Sequence, residues 1–119
     1  MVYGIKISIQ LEIILQVLIS FVVGMLIGFD RERSGKAAGM RTQMLVCVGS
    51  TLLAGISVHL AEIYNRGVEA NLFRADPARL MAQIVSGIGF LGAGVIIKNS
   101  GNKVTGVTTA ATIWITAAI

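Results

Sequence analysis

Three apolar runs, each about as long as a bilayer is thick, decide what this chain of 119 residues folds into. They extend over residues 9–29, 43–60 and 78–97, and about 20 residues rising 1.5 Å each cover a hydrocarbon core of about 30 Å. A soluble domain of this length has no interior large enough to hide three such runs. Charged residues make up 13% of the chain and the mean hydropathy is +0.80, whereas a soluble domain is about 25% charged. The expected fold is therefore all-α, a polytopic transmembrane helical bundle forming one domain over residues 1–119 and embedded in the lipid bilayer. The hydrophobicity excludes a disordered tail, and the lone Cys47 excludes a disulfide scaffold. The first run is no removable leader: it is too long, lacks a small-residue cleavage site and ends in Asp30-Arg31-Glu32-Arg33.

A fourth apolar run covers residues 108–119. As helix it is about 18 Å long, too short to span. It is either re-entrant or the start of a longer segment, and a C-terminally truncated chain is the favoured reading. Asp76 as N-cap and Pro77 at the first helical position give the third helix its start. Between the third and fourth helices, Val95-Ile96-Ile97 and Val104-Thr105 flank a Gly- and Asn-containing turn, as a small β-hairpin or a plain helical loop would. Residues 60–73 read equally as an interfacial helix or a solvated loop.

The chain carries ten Lys and Arg against six Asp and Glu. The bases lie in the connections, where they act as topology signals rather than as a nucleic-acid footprint. Arg31, Arg33, Lys36, Arg41, Lys98 and Lys103 fall on one side, which the positive-inside rule makes cytoplasmic, with the N-terminus outside. Asp30 and Glu32, interleaved with these bases, suggest an ordered, salt-bridged loop that packs or binds a partner; a plain anchor to anionic lipid would need only the bases.

Small and polar residues repeat along each span. Ser8, Glu12, Gln16, Ser20, Gly24 and Gly28 recur every fourth residue, so they share one helix face turned from lipid. Gly24 and Gly28 form a GxxxG pair suited to close helix approach. In the third run Gly87 and Gly94 lie on one face and Gly89 and Gly92 on the opposite one, as in a helix packed on both sides at the centre of a bundle or dimer. Arg79 in its first turn opposes the helix dipole and calls for a carboxylate, Asp76 or Glu62. Cys47, Ser50, Ala54, Ser57 and Ala61 make a seam on the second helix, and Thr108, Thr112 and Thr116 a hydroxyl stripe on the fourth. His59 reads as a membrane-interface residue. Packing explains the stripes best; a polar pathway through Gln16 and Gln83 is the alternative.

Gly28-Phe-Asp-Arg-Glu-Arg33, Lys36, Ala38-Gly39, Arg41-Thr42 and Gly49-Ser50 resemble the N-terminal membrane domain of the MgtC/SapB family. The resemblance continues through Ala75-Asp-Pro-Ala-Arg79, the run from Gln83 to Ile96, and Gly106 to Trp114. It implies a multi-pass protein of the bacterial inner membrane, associated with growth at low magnesium and, in pathogens, with virulence. It also implies partners among other membrane proteins, the ATP synthase included. Family functional residues fall on Asp30, Arg31, Glu32, Arg33, Lys36, Arg41, Asp76, Arg79 and Gln83.

Mg²⁺ is the ion the resemblance raises, and it takes oxygen ligands, commonly one or two carboxylates with waters. Asp30, Glu32 and Asp76 are the candidates, but the first two belong inside and the third outside, so one four-span chain does not bring them together. A homodimer doubles any one of them. No nucleophile–base pair, zinc spacing or phosphate loop marks an enzyme, and nothing marks a nucleic-acid partner. Two expectations follow: a regulator of magnesium homeostasis that works through protein contacts, or a small oligomeric channel or transporter.

Overall fold

The computed structural model describes residues 2–65, 76–98 and 103–119. It contains four helices and one minimal hairpin: α1 (Val2–Arg33), α2 (Met40–Asn65), α3 (Pro77–Val95), β1 (Ile97–Lys98), β2 (Val104–Thr105) and α4 (Val107–Ala118). Three stretches are long and apolar enough to cross a membrane, Gln10–Arg33, Met40–Tyr64 and Pro77–Val95. These are the three expected spans, with α2 beginning earlier and running further than the apolar run alone. Its extension takes in part of the expected interfacial segment; the rest of that segment, with Arg66 and Glu69, lies outside the described residues, as does the turn 99–102.

The α1–α2 pair is organised by glycine. An added Cβ at Gly28 would stand 2.4 Å from Met40 Cα, and one at Gly24 would stand 2.8 Å from Met44 Cα. The backbones cross so closely that only glycine fits at these two positions. Along the pair, Ser20, Gly24 and Gly28 of α1 and Gln43, Cys47, Ser50, Ser57 and Ala61 of α2 are buried, at the helical spacing the sequence shows. A tight turn joins the two helices. Lys36 N–H returns to Arg31 O at 3.0 Å and Gly35 adopts φ +62°, which ends α1 in the left-handed conformation common at helix C-termini.

α3 starts as expected: Asp76 Oδ1 accepts from Ala78 N–H at 2.9 Å with Pro77 in the first turn. Ser57 Oγ donates to Pro77 O at 2.7 Å and ties this end of α3 to α2. At the far end the hairpin forms, pairing Ile97 with Thr105 and Lys98 with Val104. Gly106 then turns the chain at φ +89°, where a Cβ would lie 2.2 Å from Val95 O. No other residue makes that corner without moving the hairpin.

The assembly is shallow, 62 × 30 × 13 Å, with the helices side by side. This corrects one expectation. α3 is not packed on both sides within the chain: only 6% of its span is buried. A Cβ added at Gly92 would stand 3.5 Å from Ala110 Cβ of α4, while one added at Gly87, Gly89 or Gly94 would meet nothing within 4 Å among the described residues.

Candidate functional site

The charged loop that the sequence singles out is ordered, though by hydrogen bonds rather than salt bridges. Arg31 leaves the last turn of α1, is only 5% exposed, and reaches across to α4. Its Nη2 donates to the Thr109 hydroxyl and to Ala37 O, the latter at 3.0 Å, and its Nη1 lies 3.4 Å from the Thr112 hydroxyl. Its Nε has no acceptor although it is buried. Glu32 Oε2 accepts from Met40 N–H at 3.1 Å and so caps the start of α2, a position where the helix dipole favours a carboxylate. Gln43, fully buried, donates through Nε2 to Ala38 O at 3.2 Å, while its Oε1 has no partner. Two side chains thus hold consecutive carbonyls of the turn. That restraint keeps Ala38 at φ +58°, a left-handed conformation that costs an alanine about 1–2 kcal/mol.

The remaining members of the loop, Asp30, Arg33, Lys36 and Arg41, are exposed. They form a mixed, mainly positive rim around the buried junction. The sequence reading missed Thr109 and Gln43. It placed the hydroxyl stripe of α4 at Thr108, Thr112 and Thr116, whereas the buried face is Thr109, Ile113 and Thr116. Gln43 sits at the start of an apolar run, where an amide needs a reason; that was the available signal.

Asp76, Arg79 and Gln83 lie at the opposite end of the structure, beside Ser57. Asp76 caps its helix, and Arg79 and Gln83 are exposed. Asp76 is therefore separated from Asp30 and Glu32 by the length of a span. Among the described residues no three His, Cys, Asp or Glu side chains come together as a metal-holding group.

A cleft of about 470 Å³ opens between the C-terminal end of α4 and the halves of α1 and α2 distant from Arg31. Glu12, Gln16 and Ser20 line it from α1, and Ser50, His59 and Glu62 from α2. Glu12, Gln16 and Ser20 of the α1 stripe thus face a cavity, whereas Gly24 and Gly28 face backbone. His59 faces this cleft with its Nδ1 buried and unpartnered, which its position near a helix end did not foretell. Gln83 is not among the residues that line this cleft.

Comparison with known proteins places this geometry. The family model described as the MgtC family matches residues 17–119. Protein SapB of Bacillus subtilis is 39% identical over 103 residues, 87% of this chain and 43% of that protein. The Escherichia coli K12 protein named "Putative magnesium transporter YhiD" is 38% identical over 109 residues, 91% of this chain and 48% of its own length. Protein MgtC of Brucella abortus is 43% identical over 100 residues, 84% of this chain and 37% of its own. The chain spans less than half the length of these curated relatives. No solved structure matches it. The match runs from the glycine crossing through the Arg31 junction and both ends of α3 to the last residue of α4, and the chain belongs to the MgtC family.

Proposed function

We propose that the chain is the membrane part of a bacterial inner-membrane protein of magnesium homeostasis, serving adaptation to low magnesium and acting through contacts with other membrane proteins. The observation that carries this reading is the uncovered face of the third helix. Phe90 is 84% exposed, and Gly87, Gly89 and Gly94 present smooth backbone with none of the described residues against it. Glycine on a lipid-facing helix gives up side-chain packing for nothing, whereas glycine against a second helix permits close approach. The magnesium connection rests on family membership and on the name its Escherichia coli relative carries. The N-terminus lies outside in this reading, because Arg31, Arg33, Lys36 and Arg41 gather at the opposite end of α1.

The cleft favours a second reading, a small oligomeric channel or transporter, since Glu12, Gln16, Ser20, Ser50 and His59 set polar groups into its largely apolar wall. One experiment separates the two. The chain is reconstituted into liposomes loaded with a Mg²⁺-sensitive dye, a gradient is imposed, and wild type is compared with Gln16→Leu and Gln83→Leu. The regulator predicts no protein-dependent flux from folded protein. Flux abolished by Gln16→Leu makes the cleft a conduction path and overturns the first reading.

A further inference from the structure

The first turn of α4 is uncapped. Gly106 holds the N-cap position without a side chain to offer, and the first intrahelical bond runs from Ala110 N–H to Gly106 O at 2.8 Å. The N–H groups of Val107, Thr108 and Thr109 therefore have no acceptor in their own helix. Water serves such groups at most helix ends, and a free N-terminus alone identifies nothing.

Arg31 sets this one apart. Its guanidinium lies against the first turn through Thr109 and the second through Thr112, and is withdrawn from water at 5% exposure. Every partner it has is neutral: two hydroxyls and the Ala37 carbonyl. A buried cation without a counter-charge is costly, and the positive end of the α4 dipole beside it deepens the deficit. Neither neighbouring carboxylate hydrogen-bonds it: Glu32 accepts from Met40 N–H and Asp30 is exposed. The Thr109 hydroxyl, 6% exposed, accepts from Arg31 and keeps its own proton to give. Exposed Lys103 stands just before the turn.

We infer that the first turn of α4, backed by Arg31 and Thr109, is an oxyanion site that binds a phosphate group. A phosphate offers several acceptor oxygens to three backbone N–H groups and a hydroxyl, and its charge offsets that of the guanidinium. The same chemistry is presented by the headgroup of an anionic phospholipid and by free phosphate. This goes beyond the homeostatic reading above and does not depend on it.

The test uses the full chain in neutral detergent, titrated with inorganic phosphate, and in nanodiscs of phosphatidylcholine with or without phosphatidylglycerol. Binding is read by native mass spectrometry and by the thermal melt of the helical circular dichroism signal. The expected result is saturable binding of one phosphate group, weakened at least tenfold in Thr109→Val with helicity retained. Arg31→Lys, which keeps the charge and loses the fork, weakens it as well. Saturation by inorganic phosphate in detergent identifies the free anion; a retained phosphatidylglycerol that inorganic phosphate does not displace identifies the headgroup. Absence of saturable binding in both arms overturns the proposal. So does binding indifferent to Thr109→Val and lost only when Lys36 and Arg41 are neutralised together, which is diffuse attraction to the loop.

Discussion

Gly28 and Gly49 show how differently one residue type acts at two positions. A methyl group at Gly28 would sit 2.4 Å from Met40 Cα, whereas at Gly49 it would meet nothing within 4 Å. Gly28→Ala must push α2 away or bend α1, and overpacking of this kind costs about 1–3 kcal/mol. We expect Gly28→Ala to lower the thermal midpoint in detergent clearly and Gly49→Ala to leave it unchanged, measured by circular dichroism on the same preparation. Equal midpoints would mean that the α1–α2 crossing is not as close as the structure has it. The GxxxG spacing made this contact legible, because four residues bring two glycines onto one helix face. The role of Arg31 was half legible. Charge at a helix end was expected; its burial against hydroxyls rather than carboxylates depends on where α4 lands, which no local pattern encodes. Glu32 gives a second residue-scale prediction. Glu32→Ala removes the cap on Met40 N–H and is expected to destabilise by about 0.5–2 kcal/mol, with Glu32→Gln recovering part because an amide oxygen still accepts.

At the scale of elements, the ends were easier to foresee than the faces. Asp76 and Pro77 announce the start of α3, and the structure forms the cap they describe. The hairpin was readable from a Gly- and Asn-containing turn between short β-branched pairs, though a helical loop fitted the same residues. The buried face of α4 was not readable. Its residues are apolar or hydroxylated all round, so no periodicity separates Thr109 from Thr108, and the choice is made by the docking partner. How α3 is held follows from contacts of the same long-range kind. Its Asp76 end is fastened by Ser57 to Pro77 O and its other half rests on α4 at Gly92 and Ala110. Ser57→Ala deletes the first fastening, worth about 0.5–1.5 kcal/mol, and the effect should be local. Hydrogen exchange in the first turns of α3 should rise while exchange at the Gly28 crossing stays unchanged. A uniform rise would mean that the four helices melt as one unit.

The whole molecule is a shallow layer rather than a closed bundle, and its shape poses the question of what covers α3. Lipid and protein make different demands on a helix surface. Lipid tails conform to any apolar outline, so a methyl group added at Gly87 or Gly94 would cost nothing there; a second helix in contact would be displaced by it. Within the isolated chain, Gly87→Ala and Gly94→Ala meet open space and should not reduce stability. Any loss they cause in the membrane therefore reports a neighbour outside the described residues. Disulfide trapping makes the argument direct, since the native Cys47 is buried and silent. If a second copy covers α3, Gly87→Cys or Gly94→Cys in liposomes should yield a crosslinked dimer, and Leu45→Cys, on an outward position 75% exposed, should not. A dimer formed equally by all three would be random collision, and a dimer formed by none would leave the face to lipid or to a different membrane protein. In that last case Gly87→Leu tests the choice: growth at low magnesium lost with the protein still folded and inserted assigns the face to a partner, while unchanged growth assigns it to lipid and removes the observation on which the contact-based function rests.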